Sequence, residues 1–138
     1  MDINDLVLSE KALAVIDKGE WMPAGDEAPD LEFLVVGLQS ESCRNLMKQK
    51  TASQRKKNRG KALSEEQYSV ITKEVLAEEA LKDWRGLTSG GKELAYSKDL
   101  ARKYIMSRGG DKFTRMVLEA CQRLDDDANS FVEDVTKN

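Results

Sequence analysis

Histidine is absent from all 138 residues. That removes the commonest general base, the commonest metal ligand and the usual partner of a catalytic serine. Cysteine is nearly absent: Cys43 and Cys121 lie far apart with no CxxC spacing. A disulfide framework or a zinc site is therefore not supported, and two ordinary reduced thiols are expected. No apolar run approaches the roughly 20 residues of a membrane span. The N-terminus, MDINDLVLSE, is acidic and lacks the pattern of a signal peptide, so a cytosolic protein is expected. The pairs Gly90-Gly91 and Gly109-Gly110 do not complete the GxxxxGK[ST] pattern of a phosphate loop. No nucleophile–base pair is assembled, and the serines are placed as helix caps. Glu78 and Glu79 are adjacent on a predicted helix and diverge by about 100°, which argues against a general acid/base pair. These absences point to a non-enzymatic protein with no metal and no cofactor.

What the chain does have is charge and helical periodicity. Hydrophobic residues make up 40% and charged residues 34%, as in a charged-surfaced globular domain. The net charge of −3 is unevenly spread. Arg44, Lys48, Lys50, Arg55, Lys56, Lys57, Arg59 and Lys61 follow one another without an acid between them. Such a segment on an acidic body can meet nucleic acid, another acidic protein surface, or the protein's own body. No aromatic residue is interleaved for base stacking, which counts against nucleic acid.

The expected fold is mainly α: one small helical domain over 1–138, with four to five helices and a short N-terminal β-hairpin. Residues 1–39 hold a short helix and the hairpin, and 40–138 the helical part. Ser9 caps the first helix, with Ala12, Leu13 and Ile16 spaced to share a face. Trp21-Met22 and Leu31–Val36 read as the two strands, and Pro23 places the first at an edge. Ser40 or Ser42 caps a helix carrying Cys43, Leu46 and Met47, expected to fade near Lys50. The stretch TASQRKKNRGK, about 51–61, has no apolar periodicity and is expected to be a flexible basic loop. Ser64 to Gln67 form a capping box. The helix it starts is predicted to run to about Trp84, with Tyr68, Ile71, Val75, Ala80, Leu81 and Trp84 as its stripe. Ser97 caps the next helix, facing Leu100, Ala101, Tyr104 and Ile105 inward. In the last helix Phe113, Met116, Val117, Ala120, Cys121 and Leu124 keep one phase that continues through Ala128, Phe131, Val132 and Val135. Asp125-Asp126-Asp127, poor helix formers, are a place for it to kink or fray.

A string of short features carries a resemblance. Gly19-Glu20-Trp21 stands in the hairpin, and a helix with a basic segment follows. Asp83-Trp84-Arg85-Gly86 comes next, then Gly90-Gly91-Lys92-Glu93 and Leu94-Ala95-Tyr96-Ser97. The last helix runs to Phe131. In this order the chain resembles the tail assembly chaperones of long-tailed bacteriophages, across most of its length and most sharply over 76–97. It departs from them at Tyr104-Ile105, where Leu-Leu is usual, and in its acidic triplet. The resemblance marks Trp21, Asp83, Trp84, Gly86, Gly91 and Tyr96 as shared structural positions. It implies a non-catalytic protein of the host cytoplasm, absent from the finished virion, that coats the tape-measure protein and helps recruit the major tail-tube protein. It further implies a frameshifted longer form of the same chain as a partner; Lys137-Asn138 is compatible with a slippery heptamer. A homo-oligomer fits this role, and a membrane does not. Phe131, Val132 and Val135 are the expected partner-binding residues. Two other readings are a nucleic-acid-binding or regulatory protein acting through 44–61, and a head–tail connector component that stays in the particle.

Overall fold

In the computed structural model, residues 1–137 are described, with side chains to 132. After a single 3-10 turn at Ile3–Asp5, helix α1 spans Glu10–Lys18. The Ser9 side chain accepts from the Ala12 amide, satisfying one of its open N-terminal donors. Strands β1 (Glu20–Pro23) and β2 (Glu32–Val35) form the expected antiparallel hairpin, with Met22 opposite Phe33. Pro23 sits on the edge strand, where its missing N–H costs no ladder bond.

Most of the expected basic loop, 51–57, is a continuation of the preceding helix, and only 58–61 form a turn. Helix α2 runs Glu41–Lys57. Its residues are good helix formers, and Arg55, Lys56 and Lys57 in the last turn suit the negative end of the helix dipole. The turn after it is pinned. Asn58 and Gln67 exchange side-chain amide hydrogen bonds at 2.9 and 3.1 Å, and Gln54 also donates to Asn58. Gln67 belongs to the capping box that opens α3 (Glu65–Val75), so one side chain serves two elements. Periodicity failed here because this helix turns most of its second half to water.

The second correction concerns the helix expected to reach Trp84. Helix α3 passes into one π-helical turn at Leu76–Ala80, and the chain then leaves it as strand β3, Leu81–Arg85. β3 adds to β2 antiparallel, giving a sheet ordered β1-β2-β3 with a bulge at Leu34/Val35. Residues LAEEALKDW read as helix locally. What overrides that propensity is the open edge of β2 and the burial gained by setting Trp84 opposite Phe33. The predicted stripe therefore splits: Ile71 and Val75 are buried on α3, Leu81 and Trp84 on β3, and Tyr68 is 44% exposed. A two-residue-stranded hairpin, β4 (Thr88–Ser89) with β5 (Lys92–Glu93), turns over Gly90-Gly91.

Helices α4 (Lys98–Met106) and α5 (Asp111–Lys137) complete the fold. Met22, Phe33 and Val35 are buried on the strands that α5 packs against, and its Val117, Ala120, Cys121 and Leu124 are fully buried; Leu81 and Trp84 of β3 are buried in the same core. Aromatic rings tie the layers together. Phe113 meets Phe33, Trp84 and Tyr104 edge-on at 5.7, 5.9 and 6.0 Å, and Trp84 meets Tyr96 at 5.0 Å.

The acidic triplet does not end α5, which continues through it. The Asp125 carboxylate accepts from the Leu38 and Gln39 amides at 3.0 and 3.2 Å, clamping the β2–α2 loop to α5. Gly37 makes room for it: a Cβ there would lie 2.1 Å from Asp125 Oδ1. Burial pushes the Asp125 carboxyl above the usual carboxylate range, and nearby Asp126 adds to the rise against the two amides that lower it. A carboxyl raised in the fold contributes most below its unfolded value, and that contribution is lost as pH rises through the folded one. Urea titrations of the native chain and Asp125→Asn should therefore show the native chain gaining on the variant as pH falls from neutral toward the carboxylate range. Asp125→Ala, which leaves both amides without their acceptor, should cost about 1–3 kcal/mol.

Candidate functional site

A long groove of about 880 Å³ runs along one side of α2. Arg44, Lys48, Thr51, Ala52 and Arg55 line it at helical offsets 0, 4, 7, 8 and 11, one face of one helix. Leu13 of α1, Leu38 of the β2–α2 loop, Met47 of α2 and Val75 at the end of α3 supply its apolar lining. Leu13, expected on the inward face of α1, is 39% exposed here, while Ala12 and Ile16 are fully buried against Ala128. From Arg44 to Arg55 the groove-facing side is about 16 Å long at 1.5 Å per residue, or about three turns of a helix laid along it.

The charges around the groove are unequally used. Lys50 points to the other side of α2, reaching Glu74 at 2.5 Å and Glu78 at 3.4 Å, and Arg102 of α4 also meets Glu78 at 3.3 Å. The Glu74 hydrogen bond holds the Lys50 ammonium pKa above its ordinary value. Lys50 thus fastens α2 to α3. Among the described residues, Arg44, Lys48, Arg55, Lys56, Lys57, Arg59 and Lys61 make no ion pair, and all seven are exposed. Arg44, Lys48 and Arg55 stand over the apolar lining. Lys57 lies beside Lys50 on the opposite side. Asp17 and Glu41 close the groove at the start of α2, where Asp17 accepts from the Glu41 amide at 2.9 Å. The basic run is therefore two faces, one structural and one open.

The positions singled out by the resemblance gather at the sheet. Trp84 is 4% exposed and donates its indole N–H to the Leu94 carbonyl at 2.7 Å. Tyr96 donates its hydroxyl to the Leu81 carbonyl at 3.2 Å, and burial pushes its pKa up. The Asp83 carboxylate accepts from the Trp84 amide. Trp21 lies on β1 of the same sheet, half-buried, under the Arg85 guanidinium at 4.1 Å; Arg85 is also bonded to Glu32. Gly86 carries the chain off β3 against Asp30, and Gly91 turns the small hairpin in open space. Of the expected partner-binding residues, Phe131 packs half-buried on the main core and Val132 on the Ala12–Ile16–Ala128 cluster. Val135 lies outside the residues whose side chains are described.

Cys43 and Cys121 are buried free thiols, pushed up by desolvation. Among the described residues no group of His, Cys, Asp and Glu could hold a metal ion. No described helix is long and apolar enough to cross a membrane. The groove escaped sequence reasoning because its lining comes from four separate elements. The one available signal was the 44–48–55 spacing inside the basic run.

No curated protein and no solved structure matches the chain. A family model does: residues 38–138 match the YdaY prophage protein.

Proposed function

The chain belongs to the YdaY prophage protein family, and we propose that it is a non-catalytic tail assembly chaperone that holds amphipathic helices of a tape-measure protein. It acts in the host cytoplasm, helps bring tail-tube subunits to the growing tube, and stays out of the finished particle. The observation that carries this reading is the groove: an apolar channel three helical turns long, with Arg44, Lys48 and Arg55 unpaired above it. An amphipathic helix binds such a channel through anchors at i, i+3, i+4 and i+7, and acidic residues beside those anchors meet the basic rim. Each site can be weak, since many copies along one long helical partner gain by avidity.

The test is co-expression with the tape-measure protein encoded by the same prophage. Several copies should co-purify with each tape-measure chain. Met47→Asp and the double variant Arg44→Glu/Arg55→Glu should each weaken binding at least about tenfold, some 1.4 kcal/mol, with unchanged circular dichroism. Full binding by both variants would remove the groove from the reading. A second reading draws on the same unpaired cations: Arg44, Lys48, Arg55, Lys56 and Lys57 on one helix can neutralise phosphates. It requires affinity for duplex DNA or RNA that falls steeply with salt, with a slope near −0.9 per phosphate contacted on duplex DNA.

A further inference from the structure

The chain carries, outside the groove, a segment with the chemistry the groove calls for. Before α1, Ile3, Leu6 and Val7 are 63%, 63% and 51% exposed. They stand at offsets 0, 3 and 4, the anchor spacing of a short amphipathic helix. Asp2 and Asp5 lie among them, and Asp2 already caps the turn by accepting from the Asn4 amide at 2.9 Å. An apolar, acidic segment thus lies open on a protein whose α2 groove has an apolar floor beneath the unpaired Arg44, Lys48 and Arg55, with Asp17 and Glu41 confined to its end at the start of α2.

The segment is tied away from its own groove. Asn129 of α5 accepts from the Ser9 amide and donates to the Val7 carbonyl, at 3.4 and 3.5 Å, and Leu8 packs on the cluster of Ala12, Ile16 and Ala128. Those contacts lie on the α5 side of α1. Leu13, which lines the groove, stands about 100° around the helix from Ala12. The groove best placed to receive the segment is therefore a neighbour's.

We propose that residues 2–7 of one copy dock in the α1–α2–α3 groove of a second copy, Ile3, Leu6 and Val7 meeting Leu13, Leu38 and Met47 while Asp2 and Asp5 face Arg44, Lys48 and Arg55. This rests on the reading of the groove as a helix-binding site and names its occupant when no partner is present. The contact is head-to-tail, so it closes a ring or extends as an open chain of copies. A tape-measure helix, competing for the same groove, displaces the segment.

Sedimentation velocity on the full chain tests this. The native protein should show concentration-dependent association, ending at a dimer where two copies exchange segments and running to larger species where the contacts continue from copy to copy. Ile3→Asp/Leu6→Asp alters only exposed side chains, and Arg44→Glu/Arg55→Glu alters only the rim; each should be a folded monomer alone. Mixed, they should form a one-to-one heterodimer and nothing larger, because one intact segment meets one intact groove. A native protein that remains monomeric at its highest attainable concentration overturns the proposal. So does native-like assembly by either variant, or a mixture that does not associate. The segment variant keeps its groove, so it should bind the tape-measure protein at least as well as the native chain. If neither binds while assembly follows the pattern above, the chaperone reading falls and the self-association stands.

Discussion

Replacing Trp84 with alanine is expected to remove about 3–5 kcal/mol of stability, a large share of the roughly 5–15 kcal/mol that holds a small domain folded. Trp84 is 4% exposed and touches two rings from separate parts of the chain, Tyr96 in the segment leading to α4 and Phe113 at the start of α5. Deleting it opens a cavity where sheet and helices meet, and the neighbours cannot collapse into it without parting β3 from β2. It also strips the Leu94 carbonyl of its indole donor. Trp84→Phe keeps much of the ring contact and loses the hydrogen bond, so its cost should be clearly smaller. Urea titrations followed by circular dichroism read both. A loss below about 1 kcal/mol for the alanine variant, typical of a surface change, would mean that the aromatic cluster does not hold the sheet to α4 and α5.

Gly86→Ala should come next in severity. The backbone there has φ +82°, and an added Cβ would sit 1.9 Å from the Asp30 carbonyl oxygen, a backbone atom with no rotamer to escape through. The left-handed conformation alone costs a non-glycine residue about 1–3 kcal/mol, and the clash forces β3 away from the approach to β2. Gly91 supplies the control. It has nearly the same torsion, φ +83°, with nothing within 4 Å of its would-be Cβ. Gly91→Ala should show the torsional cost by itself, so the gap between the two variants in thermal or urea unfolding measures the close approach. Equal effects would show that torsion, not the Asp30 contact, selects glycine at Gly86.

Both glycines look alike in sequence, and so do the residues around Trp84. LAEEALKDW has the composition of a helix, and local propensity gives no reason to end one at Ala80. The strand exists because β2 has an unpaired edge and Phe33 an open flank, facts that belong to residues some fifty positions away. The same holds for Asp125. Three consecutive aspartates read as a weak point in a helix, whereas one of them is the acceptor for two loop amides that no sequence pattern connects to it.

The basic run shows the converse limit. Its charge was plain, but not its division. Helical phase sends Lys50 toward Glu74 and Glu78, where it joins α2 to α3, and sends Arg44, Lys48 and Arg55 to the groove. A solvated helix has no apolar rhythm to announce it, and so 51–57 reads as loop.

By itself the sequence determined the mainly α class, the N-terminal hairpin, the caps at Ser9, Ser64 and Ser97, and the apolar stripe from Phe113 to Leu124, while the choice of Ser40 over Ser42 came from the structure. All of these are written in local patterns, namely cap residues, strand propensity around a turn and apolar spacing at helical period. Only the tertiary structure decided that Trp84 lies on a strand, that Asp125 clamps the β2–α2 loop, and that an apolar groove with a basic rim exists. Each of those is a meeting of segments distant in the chain, set by which edges remain unpaired and which surfaces remain to be buried once the local elements have formed.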